Sequence, residues 1–196
     1  MTMDKSNGYE AVAPIFLKGR GQAANGIGAS SARSWAKKMA PGSVVLDLGC
    51  GTGIPVSKIM VDEGLTVYGI DASPTLAAAF HEHFPTMPVA CEAVEDSTFF
   101  DKQFDGVIAV GLIFLLSEDA QRALIKKAAL ALKAGGRFLF TAPPIVAAWN
   151  DIMTGLGSRS LGADNYKALL SAAGLTLIEE FEDEGENHYY HAISQG

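Results

Sequence analysis

The run VVLDLGCGTGIP, from Val44 to Pro55, constrains the fold more than any other stretch of the chain. Apolar residues suited to a buried strand pass straight into Gly49, Gly51 and Gly53 at alternate positions. Helical spacing at Val56, Ile59 and Met60 follows. Glycine has no Cβ, so it turns tightly and lets backbone come close to a ligand. A helix starting near Pro55 offers its first, unpaired N–H groups to that turn. Strand, glycines and helix in this order predict an open α/β sheet with a ligand cleft at the carboxyl ends of its strands.

The rest of the chain continues the alternation. SVVLDL, TVYGID, PVACEA, FDGVIAVG and GRFLFTAP read as strands. SPTLAAAFHEHF reads as a helix with Ser73 as N-cap and Pro74 at its first position. SEDAQRALIKKAALALKAGG reads as a long amphipathic helix capped by Ser117 and stopped by Gly135-Gly136. An earlier helix is expected to start at Ser30 or Ser31 and to end before Pro41-Gly42. This pattern means βαβ units and a sheet covered on both faces. Beyond Pro143-Pro144 the character changes. PIVAAWNDIMTGLGSRSLG has no clean period, GADNYKALLSAAG reads as a helix, and LTLIEEFED and HYYHAIS form an antiparallel hairpin around EGEN. The first 26 residues read as a loose, partly helical arm, and a length of 196 residues fits one domain.

The spacing also narrows the ligand. Ile54 stands where the dinucleotide fingerprint has its third glycine, which argues against an NAD or FAD pyrophosphate and hence against an NAD-linked oxidoreductase. No Lys-Ser or Lys-Thr pair follows, so a P-loop is excluded. A nucleoside without phosphates remains. Asp71, ending the second strand, suits a pair of ribose hydroxyls. The loop ACEAVEDSTF follows the third strand into the same cleft. There Glu92 or Glu95 is expected to accept from an exocyclic amine, and an N–H near Ala93 or Val94 to donate to a ring nitrogen.

Composition and smaller patterns exclude other classes. A formal net charge of −7 disfavours nucleic acid and anionic membrane as partners. Cys50 and Cys91 stand in no CxxC pair and read as small buried hydrophobes in a reducing compartment. No apolar run approaches a membrane span, and the N-terminus lacks the apolar stretch of a signal peptide, so a cytoplasmic location is expected. His81-Glu82-His83 is no metal motif, because positions i and i+2 of a helix point to different faces. The acidic run EEFEDEGEN is expected to be a solvated hairpin edge.

Taken together, VLDLGCGTG, GIDAS, FDGVIAVG and LKAGGRFLFTAP resemble the motifs of the class I S-adenosylmethionine-dependent methyltransferases, over roughly Ser43 to Pro144. The resemblance implies a Rossmann-like three-layer sandwich whose mostly parallel, seven-stranded sheet has the order 3-2-1-4-5-7-6, with the last strand antiparallel. It implies S-adenosylmethionine as cofactor and S-adenosylhomocysteine as product. Gly49, Cys50, Gly51, Thr52 and Gly53 would hold the methionine part. Asp47 would brace the loop or neutralise the ammonium, Asp71 and Ala72 would meet the ribose, and Gly111 would lie beside the methyl. The domain reading is a single methyltransferase domain over residues 1–196. Residues 1–26 form an arm or lid, 43–144 the cofactor core, and 145–196 the acceptor-side segment and terminal hairpin.

Where methyltransferases of planar nitrogens carry an Asn/Asp-Pro-Pro-aromatic motif, this chain reads AVGLIFLL, which speaks against base or amide methylation. The expected activity is methyl transfer to an O, N or C atom of a small-molecule acceptor, by a monomer or homodimer. The competing readings are a non-catalytic cofactor-binding regulator and a methyltransferase of protein side chains. Tyr9 and His188 are the catalytic candidates, His188 as a base by residue type. Trp149, Asn150 and Asp151 are the candidates for the acceptor pocket.

Overall fold

The computed structural model describes residues 4–19 and 25–195. The parts of the predicted arm at 1–3 and 20–24 lie outside the described residues. Two helices come first, α1 (Tyr9–Lys18) and α2 (Ala29–Ala36). The alternation then runs β1 (Val44–Leu48), α3 (Val56–Asp62), β2 (Thr66–Asp71), α4 (Pro74–His83), β3 (Val89–Cys91) and β4 (Phe104–Ala109). It continues with α5 (Glu118–Leu130) and β5 (Leu132–Thr141). After these come β6 (Val146–Asn150), β7 (Gly157–Leu161), α6 (Ala163–Ala172), β8 (Leu175–Glu182) and β9 (His188–Ser194).

Seven strands form the main sheet in the order β3-β2-β1-β4-β5-β9-β8. Counted within this sheet, that is the predicted order 3-2-1-4-5-7-6. β1 pairs in parallel with β2 and β4, and β9 runs antiparallel between β5 and β8. Successive residues of the central strands feed opposite faces, as the period of two requires. Val45, Val67 and Ile108 pack with Trp35 of α2, Met60 of α3 and Phe80 of α4. Leu46, Val107, Phe138 and Tyr190 pack with Leu124 and Ile125 of α5 and Tyr166 and Leu170 of α6. Both faces are therefore covered, which is why these strands read as near-continuous apolar runs.

Five local expectations are corrected. Neither Ser30 nor Ser31 caps α2; both lie inside it, and its N-cap is Gly28 at φ 85°. The Gly28 N–H instead donates to Glu184 Oε1 at 3.3 Å, so the β8–β9 turn supplies the polar partner from across the chain. Helix α5 stops at Leu130, short of Gly135-Gly136. Leu132 is buried and pairs with Phe104, which draws the chain into the sheet four residues early and shifts the register between Phe104 and Gly106. Cys50 is buried as expected, but Cys91 is exposed at the sheet edge.

The fourth correction is an extra hairpin. β6 and β7 pair in a separate two-stranded sheet within the stretch that showed no period. β6 alternates between exposed and half-buried positions, so its sequence VAAWN carries little contrast between faces. Tertiary contacts hold it: Trp149 packs on Phe114 with ring centroids 5.6 Å apart. The buried Gln121 donates to the carbonyls of Leu116 and Arg159, both at 3.0 Å, and accepts from the Tyr166 hydroxyl at 2.7 Å. The acidic run is likewise more than a solvated edge. Glu179 pairs with Lys38, Glu180 with Lys167, and Asp183 ties its own turn to Asn187 and the Tyr189 hydroxyl.

Candidate functional site

The glycine rhythm is a backbone requirement. Gly49, Gly51 and Gly53 all take positive φ, of 69°, 55° and 79°, a region that side chains disfavour. The resulting turn folds back on the sheet, with the N–H groups of Gly49 and Cys50 both donating to the Ile70 carbonyl at 2.8 and 3.0 Å. Asp71 completes the brace. Its Oδ2 accepts from the Gly51 N–H at 2.8 Å and its Oδ1 from the Ser73 N–H at 2.9 Å. Gly53 serves packing. A Cβ there would lie 2.4 Å from the Phe84 ring and 2.9 Å from Phe80, so its absence lets α4 close on the loop. His83 adds a support that its sequence neighbours do not announce: its Nδ1 donates to the Thr52 carbonyl at 2.9 Å.

A cavity of about 430 Å³ opens at the carboxyl ends of the parallel strands. From the β1 side it is lined by Asp47, Gly49, Cys50 and Gly51, and from β2 by Asp71 and Ala72. Ala93, Val94 and Glu95 line it after β3, and Gly111 after β4. Of the thirteen residues expected to meet a cofactor, Thr52, Gly53 and Glu92 are not among the lining residues. Thr52 is buried beneath the loop, and Glu92 is turned into the chain reversal through its N–H to the Asp71 carbonyl at 3.0 Å. Gly111 has φ 73° and nothing within 4 Å of where a Cβ would stand, so the chain keeps the space beside it clear.

The opposite wall comes from the N-terminal segment: Lys5, Ser6, Asn7, Tyr9, Phe16 and Ile27. The lining beyond Gly111 ends with Leu112, Leu115 and Leu116, so no described residue after Leu116 contributes. Helix α1 is fixed across the cleft by Glu10. Its carboxylate accepts from the Ser73 hydroxyl, from the Thr75 N–H at 3.0 Å and from the Thr75 hydroxyl at 2.7 Å, at the N-terminus of α4. These bonds hold its carboxyl below the usual range, and a negative charge there complements the helix dipole. Lys5 pairs with Asp96 of the loop after β3. The Tyr9 hydroxyl lies 3.5 Å from Asp151 Oδ2.

The remaining candidates fall elsewhere. His188 is not in the cavity; it sits at the start of β9, with Nε2 3.3 Å from Glu180 and its ring edge-on to Tyr190. Trp149, Asn150 and Asp151 do not line the cavity either. Trp149 is spent on Phe114. Asp151 caps its own turn through the N–H groups of Met153 and Thr154 and reaches the site only through Tyr9. The signal for Tyr9 was its residue type in an arm able to fold over the cleft; Phe16 and Ile27 had none, because only the tertiary fold brings them to it.

Electrostatically the cavity is acidic. Asp47 is buried, and its Oδ2 accepts from the Ser57 hydroxyl of α3 at 2.6 Å. Burial pushes its carboxyl up to about 7; Ser57 opposes the shift and the nearby Asp71 adds to it. Burial also raises Asp71, against its two N–H donors. A cation between these carboxylates would relieve both.

The fold is that of the class I S-adenosylmethionine-dependent methyltransferases. Residues 45–136, a little under half of the chain, match the family model described as a methyltransferase domain. The resemblance carried by the glycine loop and its neighbours is thus borne out at the level of the fold and of the methyltransferase-domain match. Methyltransferase GfsG of Streptomyces halstedii is 28% identical over 70% of this chain and 54% of its own length. Probable tRNA methyltransferase 9B of Homo sapiens is 29% identical over 68% of this chain but 27% of its own. The chain therefore spans about half of the first relative and about a quarter of the second. Among solved structures, magnesium protoporphyrin IX methyltransferase from Synechocystis PCC 6803 with bound S-adenosylmethionine superposes with a TM-score of 0.70, at 15% identity, over 94% of this chain and 96% of that one. No helix among the described residues is long and apolar enough to cross a membrane.

Proposed function

We propose that this chain binds S-adenosylmethionine in the cavity at the ends of β1, β2 and β4 and transfers its methyl group to a small-molecule acceptor. The observation that carries this reading is the pairing of a glycine-rich turn with two buried carboxylates, Asp47 pushed up to about 7 and Asp71 raised by burial, in one largely apolar cavity. The donor set fits the cofactor. Asp47 and the Gly49–Gly51 backbone would hold the amino-acid tail. Asp71 would take the ribose with the lone pairs its two N–H donors leave free. Ala93, Val94 and Glu95 would meet the adenine, with Thr52, Gly53 and Glu92 supporting these groups from behind. The cofactor, when bound, supplies an activated methyl on a sulfonium.

The protein's part is alignment. Gly111 leaves room for the reacting centre, and Val110, Leu112, Phe16 and Ile27 exclude water around it. Holding acceptor and donor in line contributes about 7–11 kcal/mol to such a reaction. Among the described residues no histidine lines the cavity, and Tyr9, its hydroxyl 3.5 Å from Asp151, is with Ser6 one of the two hydroxyls of the N-terminal wall. The acceptor wall is thus the described part of the arm, from Lys5 to Phe16, together with Ile27, lying over the 43–144 core, and Asp151 supports it from outside through Tyr9. Enclosure by α1 favours a small acceptor over a folded protein or a polynucleotide, and the net charge of −7 works against the latter.

The test incubates the purified chain with S-adenosylmethionine and a panel of small alcohols, phenols, amines and thiols, with bulk tRNA and unfolded protein as separate arms. S-adenosylhomocysteine formed with a small molecule alone supports the reading. Turnover only with tRNA or protein, or cofactor binding with no turnover in any arm, contradicts it.

A further inference from the structure

Lys127 lies on α5, outside the cavity, and its ammonium is committed to main chain. It donates to the Val94 carbonyl at 2.9 Å and to the Glu95 carbonyl at 3.3 Å. Its Nζ also stands 4.4 Å from the centroid of the Phe99 ring. Burial lowers its pKa, and the carboxylates of Glu92, Asp96 and Glu95 oppose that shift. Two separate contacts thus converge on one side chain, a pair of carbonyls and an aromatic face, in a neighbourhood of negative charge. A charged donor is the stronger kind of hydrogen-bond partner, and a cation over an aromatic face adds to it.

The two carbonyls belong to the loop that lines the cavity after β3. In a trans peptide the N–H points opposite to the C=O. Turning the Val94 carbonyl outward to α5 therefore turns the Glu95 N–H inward, to the side where Glu95 lines the cavity. The next N–H, of Asp96, is already used on the Ala93 carbonyl at 3.0 Å. Ala93 and Val94 are buried and have no polar side-chain atom, so the polar groups this loop can offer there are its main chain and Glu95.

We propose that Lys127 is the positioning residue of the base-binding end of the cavity: by holding the Val94 and Glu95 carbonyls it fixes the peptide edge that meets a planar, hydrogen-bonding base such as adenine. This rests on the reading of the cavity as a nucleoside site. Lys127 touches neither cofactor nor acceptor, so its removal acts on affinity for the nucleoside and not on the chemical step.

The experiment compares wild type, Lys127→Met and Lys127→Arg. Methionine keeps the stem over Phe99 and removes the donors; arginine restores donors and charge. Calorimetric titration with S-adenosylhomocysteine is paired with hydrogen exchange across 92–97 in the protein without added nucleoside. The expected result is about a tenfold weaker titration for Lys127→Met, or about 1.4 kcal/mol. Faster exchange confined to 92–97 accompanies it, and Lys127→Arg recovers most of both. Wild-type affinity in Lys127→Met overturns the proposal. So does a uniform rise in exchange with a lowered melting temperature and no recovery by arginine, which would mark a merely structural lysine. Absence of binding by wild type overturns the nucleoside reading itself.

Discussion

At the scale of single residues, two glycines of similar backbone angle do opposite jobs. Gly53 and Gly111 both take positive φ, but a Cβ at Gly53 meets Phe84 and Phe80 while one at Gly111 meets nothing. Gly111→Ala is expected to cost about 1–2 kcal/mol of stability from backbone strain and to place a methyl group in the cavity. Gly53→Ala adds overpacking to the same strain, about 2–5 kcal/mol in all. Melting temperatures and S-adenosylhomocysteine affinities separate the two: Gly53→Ala loses mainly stability, Gly111→Ala mainly ligand. Asp47 predicts a pH dependence. The folded protein keeps its proton up to about pH 7, whereas the unfolded carboxyl releases it near its ordinary value of 3.8. The folded state then binds more protons, so stability falls as pH rises through this window and levels off above it. Asp47→Asn lacks that fall, so its melting temperature relative to wild type should climb between about pH 4 and 7. A constant difference across the range contradicts the assignment. Since an ammonium favours the carboxylate, cofactor affinity of wild type should rise over the upper part of the same window, with proton release on binding.

At the scale of elements, α1 is held on the core by Glu10 at the N-terminus of α4, directly after Asp71. Glu10→Ala removes a carboxylate that accepts three bonds, two of them from Thr75. Release of S-adenosylhomocysteine, followed by stopped flow, is expected to speed up several-fold, with little change in melting temperature because the sheet is untouched. An unchanged release rate would show that α1 does not retain the ligand. Elements also divide what the sequence announces from what it hides. The glycine loop, Ser73 with Pro74, and the alternation from β1 to β5 were legible because each is written within a dozen residues: a turn chemistry, a cap, a period. The terminal hairpin was legible for the same reason. The β6–β7 hairpin was not, because its small and polar residues gain a buried face only against Phe114 and Gln121. The arm over the cleft was expected, but its docking through Glu10, the His83 support and the Lys127 contacts were hidden for another reason: each joins residues at least 31 positions apart. His188 was overvalued because residue type alone says nothing of which way a strand faces.

At the scale of the whole molecule, the net negative charge and the cavity walled on one side by α1 point the same way. A chain of net charge −7 gains no counterion release on a polyanion unless it gathers its few cations on one face. Several are already paired: Lys5 with Asp96, Arg33 with Glu63, Lys38 with Glu179, Lys133 with Asp105. Bulk tRNA is therefore expected neither to bind at physiological salt in a filter assay nor to raise turnover; salt-sensitive retention would contradict this. The sheet order places the glycine turn, Asp71, the Lys127-held loop and Gly111 on one edge, and the N-terminal helix across it. The account stands on that arrangement being a nucleoside site. Equilibrium titration of S-adenosylhomocysteine into ligand-free wild type and Asp71→Asn tests it most directly. The account predicts saturable binding at one site per chain, weakened at least tenfold by the isosteric change. Equal titrations for the two proteins, or no heat from wild type at millimolar ligand, would contradict it.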